Sequence, residues 1–152
     1  MREVAPTAPA EPSAPDGYQT TSWGTSQTIE YKFYFGKNYE DGIAQCAADG
    51  PYKMPVINNP DENDQIASIM ATRTPIVRTI WLGISDVDNE GTWVDQNGNI
   101  VSYTNFQFTI NNSSKNYARL LQDLQHLSHN WNGEWKYEVG TATGPVLCMR
   151  II

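Results

Sequence analysis

The sequence predicts an α+β fold with two helices and small antiparallel sheets. Two observations carry that expectation. Both segments with helical apolar periodicity lie in the first half of the chain, between Asn38 and Met70. The second half is a series of short apolar or aromatic runs of strand length. Helices first and many short strands afterwards indicate α+β rather than alternating α/β. A length of 152 residues is that of one domain.

Each element has its own signal. The chain opens MREVAPTAPAEPSAPDG, with prolines at Pro6, Pro9, Pro12 and Pro15. Such a composition supplies no core, so residues 1–21 are expected as a flexible tail or linker and 22–152 as the folded domain. Residues 31–35 (YKFYF) read as an aromatic strand ended by Gly36. Asn38 is a suitable N-cap, with Asp41 three residues later. Tyr39, Ile43 and Ala47 then recur on one helical face, Cys46 lies beside it, and Gly50 ends the helix. A second helix starts at Asn59, with Pro60 at its first position and Glu62 completing a capping box. Ile66, Ile69 and Met70 form its buried stripe. Residues 79–84 (TIWLGI) are nearly all apolar, as a central strand requires. Residues 92–95 and 100–103 flank Asn97-Gly98, a hairpin signal. Residues 117–121, 135–139 and 146–151 are the remaining strand candidates.

Charge and composition exclude several functions. Seventeen acidic against ten basic side chains give a net charge of -7, which repels phosphate backbones, so no nucleic-acid partner is expected. An acidic surface confers solubility and favours cations, calcium included. No apolar run approaches the ~18 residues of a membrane span. The first residues show no signal-peptide pattern, as in an intracellular chain or a mature secreted one. His126 and His129 stand near Asp123 without further ligands, and no nucleophile elbow or phosphate-binding glycine loop is present, so no enzyme is expected. Cys46 and Cys148 belong to no CxxC pair and cannot with two histidines make a clustered zinc site. They are two buried thiols or one long-range disulfide.

The order of short motifs is more specific. Trp81-Leu82-Gly83-Ile84 is followed by Glu90-Gly91-Thr92-Trp93, then Tyr103-Thr104-Asn105-Phe106, Trp131-Asn132-Gly133, and Val146-Leu147-Cys148. This series resembles the WIGL, EGxW, YxNW, WND and terminal FxC motifs of the C-type lectin-like domain over residues 28–152. The resemblance implies a double-looped α+β fold with paired terminal strands and a long ligand-carrying loop region. It also implies a Cys46–Cys148 bridge and an extracellular setting. The family's inner disulfide has no counterpart here. Its positions fall near 117–118 and 135–137, where aromatic packing would have to replace it.

In sugar-binding members of that family, calcium is held by a proline-containing tripeptide, a further acid, and the Asn and Asp of WND. Calcium takes six to eight oxygens, several of them anionic. Here the segment after Phe106 reads QFTINNSSKNYARLLQD, with no proline and no acid before Asp123. Gly133 replaces the Asp of WND, leaving Asn132. The sugar-type calcium site is expected to be absent, and no cofactor is required. Asp86, Asp88 and Glu90 could still hold an auxiliary calcium, since in calcium-rich members of that family an Asp and a Glu at the spacing of Asp86 and Glu90 contribute to one, or could serve as plain turn residues. Asn111 and Asn112 open overlapping glycosylation triplets, meaningful for a secreted glycoprotein. The expected function is extracellular, non-catalytic recognition of a protein or a mineral or ice surface. The alternative is a carbohydrate-binding lectin with an altered or calcium-independent site. Ligand-binding candidates for either are Tyr103, Asn105, Asn112, Asn116, Trp131, Asn132 and Trp135, since aromatic faces and amides bind sugars.

Overall fold

The computed structural model describes residues 17–107, 114–123 and 131–152. The elements run β1 (Gln19–Trp23), β2 (Gln27–Lys37), α1 (Tyr39–Asp49), α2 (Pro60–Thr72), β3 (Thr79–Ser85), β4 (Val94–Asp95), β5 (Tyr117–Asp123), β6 (Trp131–Glu138) and β7 (Gly144–Ile151). Two antiparallel sheets result, one ordered β1-β2-β7 and the other β4-β3-β5-β6.

The first sheet brings the two ends of the domain together, with Phe33 opposite Leu147 and Ile29 opposite Ile151. Alternate residues of β7 enter different cores, as the two-residue period of a strand dictates. Leu147 and Met149 pack with Ile66 and Met70 of α2. Val146 and Cys148 pack with Tyr39 and Cys46 of α1. Cys46 and Cys148 form a disulfide across 5.2 Å between their Cα atoms, fastening α1 to the last strand.

The folded region begins earlier than residue 22. β1 starts at Gln19 and pairs from Gln19↔Tyr31 to Trp23↔Gln27. Its side chains are mostly exposed and polar, apart from buried Trp23, so backbone pairing rather than an apolar pattern recruits it. The turn after it is clasped by Gln65 of α2. The Gln65 amide accepts from the Gly24 N–H at 2.7 Å and donates to the Gly24 carbonyl at 2.9 Å. Residues 1–16 lie outside the described residues.

The aromatic strand also exceeds its expected bounds. Gly36, at φ 69°, does not end β2 but sits in a register shift between Tyr34 and Lys37. Both helix starts follow the caps read from sequence. Asn38 Oδ1 accepts from Asp41 N at 2.8 Å and Asn59 Oδ1 from Glu62 N at 2.9 Å. The capping box of α2 is displaced by one residue, because Glu62 Oε1 accepts from the N–H of Asn58 at 2.9 Å. Asn59→Ala should cost about 1 kcal/mol, read as a lower denaturant midpoint at unchanged slope.

The hairpin around Asn97-Gly98 forms, with Gly98 at φ 84°. Its return segment stays outside the sheet. β4 pairs with β3, and the 100–103 segment keeps one bridge, Val94↔Ile100, made by Val101 N to Trp93 O and Asp95 N to Asn99 O. Ile100 is consequently 72% exposed. Where the family's inner disulfide would fall, Ala118 stands opposite Tyr137. The Tyr137 ring stacks on Phe106 at 4.2 Å, and Phe106 in turn meets Trp93 at 4.9 Å and Trp135 edge-on at 5.5 Å.

Candidate functional site

The WNG segment lies in β6 and is organised from α2. Gly133 has φ 97°, a left-handed conformation open to glycine and costly to other residues. A Cβ there would stand 2.4 Å from Asn63 Nδ2, too close for any side chain without rearrangement. The Gly133 carbonyl accepts two amide donors, Asn63 Nδ2 at 2.9 Å and Asn105 Nδ2 at 2.8 Å. Asn63 Oδ1 in turn accepts from the Trp135 indole N–H at 2.7 Å. The 105–107 segment is laid alongside β6 by Trp135 N to Asn105 O and Gln107 N to Trp135 O, both 2.8 Å. Buried polar groups need such partners, and here each amide satisfies another.

This arrangement redistributes the candidate ligand residues. Trp135 is 1% exposed, so its ring belongs to the core and offers no face to a ligand, a correction to the expectation from sequence. Asn105 commits its amide N–H to Gly133. Tyr103 is half-buried and stands edge-on to Trp135 at 5.7 Å. Burial first, and then the charge of Asp64, push its phenol upward. Asn132 is exposed, and its N–H donates to Glu134 Oε2 at 2.6 Å. Asn116 is half-buried, and its carbonyl accepts from Asp86 N at 3.0 Å. The Trp131 backbone pairs with Asp123, while its side chain and residues Asn111, Asn112, His126 and His129 lie outside the described residues.

The acidic turn is a second cluster. Asp86 is 1% exposed, and its Oδ2 accepts from the Gly91 N–H at 2.8 Å. Loss of water contact, the charge of Asp86 and a hydrogen bond to Asp86 raise the Glu90 carboxyl above its ordinary range. Asp88 is exposed, and among the described residues no three acidic, His or Cys side chains group as metal ligands. The Asp86–Gly91 hydrogen bond closes the 86–91 turn.

Asn63 was not legible as a site residue. Its signal was a polar residue in register with the apolar stripe, three and seven positions before Ile66 and Met70, so that it faces inward at 2% exposure. Nothing in the sequence named Gly133 as its partner.

With both sheets, the disulfide and the β6 segment described, the family is defined. Residues 35–150 match the model of the lectin C-type domain, and the chain belongs to that family. It is similar to tetranectin of Bos taurus, 24% identical over 68% of this chain and 50% of that one. It is also similar to C-type lectin domain family 3 member A of Homo sapiens, 26% identical over 74% and 54%. The chain thus spans about half the length of these relatives. Among solved structures, human lithostathine superimposes with a TM-score of 0.70 at 16% identity, covering 98% of both chains. A calcium-independent type II antifreeze protein does so with 0.69 at 18% identity, covering 92% of this chain and 96% of that one. At such identities the likeness is one of fold.

Proposed function

We propose that this domain is a non-catalytic, extracellular recognition module that works without the family's calcium–sugar site and binds a protein or an extended surface. Gly133 carries the reading. Where sugar-binding members place a carboxylate, this chain has a glycine whose positive φ and contact with the Asn63 amide disfavour a side chain. Its carbonyl is occupied by two amides. A hard divalent ion needs several anionic oxygens, and residues 131–135 offer one carboxylate, Glu134, whose Oε2 is taken by the Asn132 N–H. The antifreeze protein of this fold is calcium-independent, which supports the compatibility of the fold with such a role. The disulfide supports an oxidising, extracellular setting.

Calorimetry with calcium and a glycan array read with calcium or chelator test the proposal. Little calcium heat and a chelator-insensitive array are expected. Tight calcium binding that Asn132→Ala abolishes would overturn it. Sugar binding without calcium is the second reading, favoured by the half-buried ring of Tyr103. Chelator-resistant array signals lost in Tyr103→Ala would select it.

A further inference from the structure

We infer that a cavity at the C-terminal end of α2 binds a small acidic saccharide, a sugar ring whose carboxylate or sulfate is held by Arg73. This site does not rest on the function proposed above. Arg73, the C-cap of α2, lies ten residues after Asn63, about 15 Å along the helix axis at 1.5 Å per residue.

The cavity measures about 470 Å³, within the range of small-ligand sites. Gln19 of β1, Tyr31 and Phe33 of β2, and Ile69, Arg73 and Thr74 line it. The Arg73 guanidinium lies 4.7 Å over the Phe35 ring and 5.5 Å over that of Phe33. Nη1 donates to Pro75 O at 3.0 Å, and among the described residues no carboxylate pairs with Arg73. A guanidinium carries five N–H donors in a planar fork, so donors remain for a bidentate oxyanion.

The end of the helix does not oppose an anion strongly. Two of its last four carbonyls are engaged, Ile69 O by the Thr72 hydroxyl at 3.3 Å and Met70 O by Val77 N at 3.1 Å. The described lining contains Lys32 and Arg73 and no acid, within a chain of net charge -7. The Lys32 ammonium sits over the Tyr34 ring, which leaves Arg73 as the anchor. A positive pocket on an acidic protein suits a ligand of one or two charges, because the overall field repels a polyanion.

The remaining wall selects the body of the ligand. Phe33 and Ile69 offer apolar surface to a ring face. The Tyr31 phenol donates to Gln19 Oε1 at 2.9 Å, which leaves the Gln19 amide N–H groups as donors. With the Thr74 hydroxyl they can address sugar hydroxyls.

Titration of the ¹⁵N-labelled protein with glucuronate, glucose 6-sulfate and glucose tests the inference. Saturable shifts at residues 31–33 and 72–74 are expected with either acid and not with glucose. Shifts with glucuronate alone would assign a carboxylate ligand, and with the sulfate alone a sulfated one. Arg73→Gln should weaken the response at least about tenfold, the size expected of a charge-assisted bidentate pair, and Arg73→Lys should restore part of it. Shifts absent from these residues with both acids, equal with glucose, or unchanged in Arg73→Gln would overturn it. The wild-type map is independent of the variant's folding.

Discussion

Reducing the Cys46–Cys148 bridge should destabilise the domain by about 4–5 kcal/mol. The bridge joins residues 102 positions apart, and the chain-entropy model attributes that much to a loop of ~100 residues. The effect acts on the unfolded chain, which gains freedom once the loop is opened. Set against the ~5–15 kcal/mol that stabilises a typical domain, it is a large share. It is also the whole covalent contribution, because the chain has no other cysteines. Both residues are buried, at 1% and 0% exposure, so reductant alone should act slowly and the bridge should open mainly through unfolding. Urea titrations with and without reductant measure the difference. A loss below about 1 kcal/mol would show that the loop constraint contributes little here.

Gly133→Ala should cost about 3 kcal/mol or more. A residue other than glycine at φ 97° carries backbone strain of about 1–3 kcal/mol. The new Cβ would also stand 2.4 Å from Asn63 Nδ2 and displace the amide that joins the Gly133 carbonyl to the Trp135 indole. Each buried partner left unsatisfied adds about 1–3 kcal/mol. Gly98→Ala is the control. Its φ is 84° and nothing lies within 4 Å of its added Cβ, so it bears the strain alone. Equal costs for the two substitutions in denaturant titrations would refute the role given to Asn63. Gly133→Asp restores the family's carboxylate in name, but it should destabilise as Gly133→Ala does and bring no tight calcium binding.

The sequence by itself determined the α+β class, both helices and the family resemblance. Those signals are local or depend on order. Asn38 and Asn59 cap helices through bonds to residues three positions on, and TIWLGI is apolar enough to lie inside the molecule wherever it pairs. The same holds for the loss of the calcium tripeptide, which is visible as absent residue types.

Only the tertiary structure decided the rest, because it depends on contacts between residues distant in the chain. β1 is held by pairing with β2, and its exposed polar side chains carry little strand signal of their own. The return arm of the 97–98 turn is apolar at Ile100 yet exposed, since it meets β4 only at the Val94↔Ile100 bridge while β3 carries the sheet onward. Trp135 reads from sequence as readily as a sugar platform as a core ring. Its fate was settled by Asn63, 72 positions away, which accepts its indole proton. The same amide explains Gly133. A missing carboxylate in a motif becomes, in three dimensions, a backbone carbonyl held by Asn63 and Asn105, where an added side chain would have to displace the Asn63 amide.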